Sequence, residues 1–215
     1  MLLNVRRRRT RRQSRSASCP IGPVAERAVL FRRHSSGLGD PRMQVEWTTY
    51  GSPVGALTVV ECEAGPLVVE FPHRAASVKW AVRLRSAIPE LHIAQGPCRV
   101  TTAWLDEYFA GSARPFPYPE HLKGWFELSP AQIAVFKTLR KIPLGETRSY
   151  EDVARATRLH PRQIGWLVAA NHLAILIPCH RVVGKDGALV GYGGGLARKR
   201  WLLDHELRAA GVVLR

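Results

Sequence analysis

Cys179 is followed directly by His180, and Glu206 stands 27 residues beyond the cysteine. A carboxylate that orients an imidazole, which in turn draws the proton from a thiol, is the general arrangement of an activated sulfur nucleophile. The thiolate is the reactive form, and its unperturbed pKa of ~8.5 needs lowering for useful activity near neutrality. From Leu196 to Leu207 the apolar spacing is helical, with Leu202 and Leu203 four and three residues before Glu206. A carboxylate on that face is buried, and a buried acid needs a partner. Singly these residues have plainer roles: a buried small hydrophobe for the cysteine, a structural hydrogen bond for His180, a cap or surface site for Glu206. Together, in a Pro178-Cys179-His180-Arg181 context, they point to nucleophilic chemistry.

The other cysteines, Cys19, Cys62 and Cys98, form no CxxC pair with one another or with Cys179. Their spacing suits neither a zinc finger nor a dense disulfide framework, so free thiols in a reducing compartment are expected. Gly191, Gly193, Gly194 and Gly195 lack the Lys-Ser/Thr ending of a phosphate loop and read as a tight turn.

Several elements must position these residues. After Met43 come short β-like runs, Val45 to Tyr50, Ala56 to Val60 and Leu67 to Phe71, separated by Gly51-Ser52-Pro53 and Gly65-Pro66. They predict a small antiparallel meander. Val78 to Ile88 and Thr101 to Phe109 read as helices, the second closed by Gly111, and Pro115-Phe116-Pro117-Tyr118-Pro119 marks a boundary. Ser129-Pro130-Ala131-Gln132 is a helix start with its return cap, and Val135, Leu139 and Ile142 continue it on one apolar face. Ser149 caps a short second helix through Arg158. His160-Pro161 starts a third, with Ile164, Leu167 and Val168 inward. Two short helices in succession, with Arg162 near the start of the second, resemble a helix-turn-helix, although many such hairpins merely pack.

Charge suits either a polyanionic partner or a merely solvated basic surface: 32 basic against 17 acidic side chains give a net +15. Residues 1–42 hold eleven arginines and two acids, Glu26 and Asp40, which leaves the rest of the chain at +6. Charge by itself does not separate DNA from RNA or anionic lipid. No apolar run approaches the ~20 residues of a membrane span. The Arg/Ser-rich first 42 residues have three readings: a disordered basic arm, a transit-type peptide, or an upstream start codon. The dispensable tail or start-site artefact is preferred, because Met43 is the only methionine after Met1 and the patterned region begins there.

The run Ile177-Pro178-Cys179-His180-Arg181-Val182-Val183 resembles the active-site signature of O6-alkylguanine-DNA alkyltransferases, the methylated-DNA–protein-cysteine methyltransferase family. Ser52-Pro53-Val54-Gly55, Tyr108-Phe109-Ala110-Gly111, Ile142 to Tyr150, and Gly191-Tyr192 to Glu206 follow in the family's order. The likeness spans roughly residues 43 to 207. It implies that Cys179 accepts an alkyl group in one in-line displacement, with His180 as base through a water and Glu206 orienting the imidazole. It implies further that Tyr150 donates a proton towards N3 of the departing guanine. Asn171 would tie the helix-turn-helix to the active-site loop. Arg162 would fill the space left by the rotated nucleotide, because a stacked O6 group cannot meet the sulfur in line. Backbone groups around Val182 and Gly193, with Tyr192 as a wall, would hold the extruded base. Arg181, grouped with them, is read as fixing the loop rather than reacting.

The chain departs from the family pattern at several positions. His172 stands after Asn171 where Pro is usual, and Trp166 occupies a recognition-helix site where a small residue is common. Gly193 replaces a Ser of some members, and Ala174 and Val190 alter the presumed pocket lining. Scattered Cys62, Cys98, His73 and His92 do not by themselves compose the structural zinc site some members carry, so structural zinc is left open.

The resulting expectation is a ribonuclease-H-like α/β domain over residues 43–119. A mainly helical domain with a winged-helix-like helix-turn-helix follows over residues 120–215. The expected activity is single-turnover repair of O6-alkylguanine by a monomer acting on duplex DNA. Neither metal nor organic cofactor is expected, and O4-alkylthymine is left open as a second substrate. The expected location is the cytoplasm, or the nucleus or an organelle in a eukaryote. The rivals are a silent lesion binder, which replaces the cysteine, an alkylation-controlled transcription factor, and a thiol hydrolase.

Overall fold

The computed structural model describes residues 44–72, 84, 91–117, 119–126 and 128–212. The basic tail, His73, Cys19 and all of the helix expected over Val78 to Ile88 except the buried Leu84 lie outside the described residues.

The three expected strands are present: β1 (Gln44–Ser52), β2 (Gly55–Cys62) and β3 (Gly65–Glu70), paired antiparallel in succession. A fourth, β4 (His92–Gln95), runs parallel to β1, so the sheet order is β3-β2-β1-β4 and the sheet is mixed. β4 has only four residues and little alternation, which is why no strand was expected there. Val59, Val60, Val68 and Val69 are almost wholly buried, as a strand covered on both faces requires.

Helix α1 (Arg99–Phe109) packs on β2 and β3. Its first turn is held by Glu61 of β2, whose carboxylate accepts the backbone N–H of Val100 at 3.2 Å and of Thr101 at 2.7 Å. A negative charge at a helix N-terminus is stabilising, which accounts for a glutamate only 8% exposed inside a sheet. Gly111, at φ +95°, ends the helix beyond its last turn.

The C-terminal half is mainly helical: α2 (Leu122–Trp125), α3 (Pro130–Leu139), α4 (Tyr150–Thr157), α5 (Pro161–Ala169) and α6 (Leu196–Ala209). Ser129 with Gln132, and Ser149 with Asp152, form reciprocal capping boxes at the starts of α3 and α4. His160 caps α5, its Nδ1 accepting the Arg162 N–H at 3.2 Å. Helices α3, α4 and α5 pack on one another around Val135, Phe136, Leu139, Val153 and Ile164. A parallel pair of two-residue strands, β5 (Arg148–Ser149) and β6 (Val182–Val183), joins the start of α4 to the segment after the cysteine.

The two halves are stitched by backbone. Val69 of β3 donates to the His172 carbonyl at 2.8 Å and accepts from the Ala174 N–H at 2.7 Å. The segment before Cys179 therefore adds to the sheet edge, and every position after it is referred to that edge.

Candidate active site

The chain from Asn171 to Arg181 is a sequence of tight turns locked by its own hydrogen bonds. Ile177 N–H donates to Leu173 O and Leu176 N–H to Ala174 O, both at 2.9 Å. Between them Ile175, 2% exposed, takes φ +72°. That conformation is costly for a β-branched residue, on the order of 1–3 kcal/mol, and persists only where the surroundings enforce it. The turn delivers Cys179 into a single 3-10 turn, Cys179–Arg181, directly after Pro178.

Asn171 anchors this loop from the end of α5. Its Nδ2 lies 2.9 Å from Ile177 O and 3.1 Å from Cys179 Sγ, while its Oδ1 accepts the Leu173 N–H at 3.0 Å. One side chain thus couples α5, the loop and the sulfur. Cys179 is 7% exposed. Burial pushes its thiol pKa up, against the pull of the Asn171 amide, the Lys199 charge and nearby backbone N–H groups. The balance lies on the protonated side, so a base must take the proton as the sulfur reacts.

His180 is the imidazole next to Cys179 in the chain. It is fully buried, and burial lowers its pKa despite the carboxylate of Glu206, with Arg181 and Lys199 lowering it further. Its Nε2 lies 2.8 Å from Glu206 Oε1. Burial raises the Glu206 pKa, but His180 and Arg181 more than offset this and hold it well below the ordinary carboxylate range. An ionised carboxylate only accepts, so Nε2 carries the imidazole proton and Nδ1 presents its lone pair. Nδ1 is buried and makes no hydrogen bond with the described residues.

Glu206 is also wholly buried on α6, and its oxygens gather three further contacts. Arg181 donates through Nε to Oε2 and through Nη2 to Oε1, each at 2.8 Å, and Tyr108 Oη donates to Oε1 at 2.8 Å. Arg181 Nη1 reaches the Ile142 carbonyl at 2.6 Å. Its guanidinium is therefore turned inward onto Glu206 and the Ile142 carbonyl. Tyr108 comes from α1, so the N-terminal half completes the network.

Two tyrosines flank the sulfur. Tyr150 opens α4, and its hydroxyl faces the Gly191 backbone, where a Cβ would lie only 3.6 Å away. Burial, and secondarily the proximity of Cys179, raises its pKa, so it is a phenol at neutral pH. Tyr192 packs edge-on to His180 with ring centroids 6.4 Å apart, and its hydroxyl is buried. Val182 is buried, while Gly193 is exposed on the loop beside Tyr192. Arg162 is exposed in the first turn of α5. Trp166 shares that face one turn on and is 72% exposed, the reverse of a core aromatic.

Lys199 and Arg198 were not singled out from sequence, and Tyr108 stood out there only within the Tyr108-Phe109-Ala110-Gly111 motif. Lys199 is wholly buried, and its Nζ donates to the carbonyls of Val182 at 2.6 Å, Val190 at 2.7 Å and Gly191 at 3.3 Å. Burial brings its pKa down to about 8, so at pH 7 it is still the ammonium that three carbonyls require. Its signal was available: Lys199, Leu202 and Glu206 fall on one face of α6 at helical spacing, and a lysine on an apolar stripe has a reason to be there. Among the described residues no group of three or more His, Cys, Asp or Glu could hold a metal ion, and no helix is long and apolar enough to cross a membrane. Cys62 and Cys98 are separately buried, their thiols nearest the carbonyls of Gly65 and Val59.

Residues 130–208 match the model of the 6-O-methylguanine DNA methyltransferase DNA-binding domain. A human methylated-DNA–protein-cysteine methyltransferase is 35% identical over 173 residues, covering 78% of this chain and 83% of the relative. The crystal structure of Mycobacterium tuberculosis O6-methylguanine methyltransferase superposes with a TM-score of 0.62 at 30% identity, covering 77% of this chain and 94% of that one. Mycobacterium tuberculosis OGT in complex with DNA gives 0.59 at 30% identity, with the same coverage. A thiol held by an asparagine, beside a neutral imidazole tied to a buried carboxylate, thus sits within likenesses that extend over both halves of the chain. The chain belongs to the methylated-DNA–protein-cysteine methyltransferase family.

Proposed function

We propose that this protein repairs O6-alkylguanine in duplex DNA by moving the alkyl group irreversibly onto Cys179, once per molecule. The observation that carries the reading is the buried Cys179 thiol on the Asn171 amide, next to a His180 whose Nε2 is engaged by ionised Glu206. The sulfur–carbon bond forms as the O6–carbon bond breaks. The thiol proton leaves towards His180 Nδ1 through a bound water, and the phenol of Tyr150 donates towards N3 of the guanine leaving group. Proton transfer by a placed base contributes roughly 10²- to 10⁴-fold. The thioether product has no second nucleophile to release it, so turnover ends there.

The N-terminal half is assigned to the ribonuclease-H-like class and α4–α5 to a winged-helix-like helix-turn-helix, with the division near residue 119. The exposed Arg162 is assigned to the gap left by the rotated nucleotide. Tyr192, Val182 and the backbone at Gly193 are assigned to the walls that receive the base. The reaction uses no organic cofactor, the unit is a monomer, and it acts wherever the cell keeps its DNA. O4 of thymine presents the same alkyl ether and is included as a second substrate.

Incubation with a duplex oligonucleotide containing O6-methylguanine, followed by mass analysis, tests the assignment. One added methyl on the Cys179 peptide is expected, with guanine restored in the DNA. Tight binding without any mass change would overturn transfer in favour of lesion recognition alone. Arg162→Ala is expected to slow duplex repair about 10- to 100-fold, since extrusion costs a few kcal/mol and 1.4 kcal/mol is tenfold. Transfer from free O6-benzylguanine should stay near normal, and an equal loss on both substrates would contradict the flipping role.

A further inference from the structure

We propose that Arg198 is a positioning residue for the base-receiving wall, and that the N-terminal sheet takes part in substrate selection through it. This rests on the alkyltransferase reading and names a determinant within the same site.

Arg198 lies in the first turn of α6 and reaches in two directions. Its Nε donates to the Val54 carbonyl in the β1–β2 turn at 2.7 Å, and its Nη1 donates to the Gly194 carbonyl at 2.9 Å. The guanidinium carbon lies 4.9 Å from the centroid of the Phe71 ring, just beyond the end of β3. Phe71 in turn meets Tyr192 edge-on, with centroids 6.1 Å apart. The fit at this joint is close: a Cβ on Gly194 would stand 2.6 Å from Phe71 Cδ2 and 2.8 Å from Tyr192 Cε1. A Cβ on Gly55 would stand 3.2 Å from Arg198 Nη2. A continuous set of contacts therefore runs from the N-terminal sheet through Arg198 and Phe71 to Tyr192, and from Tyr192 to His180.

The wall needs such a brace. Gly191, Gly193, Gly194 and Gly195 make it permissive, with Gly191 at φ +44° and Gly195 at φ +88°. Lys199 secures its near end at Val190 and Gly191, and Arg198 secures its far end at Gly194. An arginine is suited to this place because its planar fork can serve two carbonyls and lie on an aromatic ring at once. A lysine ammonium has the charge without the fork. A wall displaced by ~1 Å can cost on the order of 10²-fold in a reaction that depends on alignment. Arg198 itself does not touch the sulfur or the relay, so it acts on where the base sits and leaves thiol reactivity alone.

The test compares wild type, Arg198→Leu, Arg198→Lys and Phe71→Leu in three measurements. These are transfer from free O6-benzylguanine over a concentration range, alkylation of Cys179 by iodoacetamide, and thermal unfolding. For Arg198→Leu the half-saturating concentration of O6-benzylguanine is expected to rise about tenfold, with a smaller change in limiting rate and an unchanged iodoacetamide rate. Arg198→Lys should restore thermal stability while keeping the raised half-saturation, and Phe71→Leu should fall between it and wild type. Unaltered half-saturation in Arg198→Leu and Arg198→Lys would overturn the proposal. So would an iodoacetamide rate that falls in step with transfer, because that places the loss in thiol reactivity and not in where the base sits. Arg198→Lys keeps the comparison available if Arg198→Leu does not fold. Failure of the wild type to take up methyl from O6-methylguanine duplex would instead overturn the alkyltransferase reading itself.

Discussion

Cys179→Ala is expected to abolish alkyl transfer outright, with no methyl added anywhere on the protein, while the fold and lesion binding survive. The fold survives because little is lost with the sulfur. Asn171 Nδ2 keeps its 2.9 Å bond to Ile177 O and its Oδ1 keeps the Leu173 N–H. The cost is then about 1 kcal/mol, the ordinary net worth of one hydrogen bond. Transfer has no substitute acceptor among the described cysteines. Cys62 and Cys98 are buried in the N-terminal half, and burial raises both thiols, Cys98 to about 12. The check is intact-protein and peptide mass alongside binding to O6-methylguanine duplex by fluorescence anisotropy. Methylation of a second cysteine in Cys179→Ala would show that the buried relay is not what selects the acceptor.

Glu206→Gln should damage stability and chemistry together, since one carboxylate serves both. Glu206 is fully buried and accepts from His180, twice from Arg181, and from Tyr108. An amide has one oxygen for these donors and turns an NH2 towards the rest, leaving the Arg181 charge without its counter-ion. Breaking a buried pair in this way costs about 3–5 kcal/mol, against a total stability of about 5–15 kcal/mol. For a chain of this size that is a fall in Tm of about 6 to 20 °C. The transfer rate should drop roughly 10²- to 10⁴-fold as the imidazole loses its enforced tautomer. Calorimetry and single-turnover transfer at a temperature where the variant is folded separate the two losses. A rate within threefold of wild type there would remove Glu206 from the chemistry.

The same network gives the protein an acid limit. Both His180 and Glu206 have folded-state pKa values below their ordinary ones, so in each case the unfolded chain binds more protons at intermediate pH. The stability they contribute is fully present above the ordinary histidine value. It declines first as pH falls below 6.5, through His180, and then through the ordinary carboxylate range as Glu206 resists protonation. Urea midpoints from pH 8 to pH 3 should therefore fall steadily in wild type, and the part of the fall below about pH 4.5 should be missing in Glu206→Gln. Parallel curves would contradict the assignment.

Much of this was legible along the chain because the signals were local. A serine cap with its return glutamine, a proline at the first helical position and short β-branched runs bounded by turn residues act over a few residues, and Ser129, Ser149 and the β1–β3 meander stand where those patterns place them. The nucleophile was legible for a similar reason, since Pro178, Cys179 and His180 are neighbours. β4 was not, because a four-residue parallel partner draws its stability from β1 rather than from its own residues.

Residue types and order thus determined by themselves that a thiol, an imidazole and a carboxylate were available, and which short elements would carry them. Only the tertiary structure decided how they are used. The folded structure makes the imidazole neutral by burial and turns Arg181 inward, where with His180 it keeps Glu206 ionised against the cost of burial. It also brings Tyr108 to the relay from 98 residues away and Arg198 to Val54 across 144 residues. Desolvation and long-range hydrogen bonds depend on what surrounds a group in space, and no spacing along the chain encodes that directly.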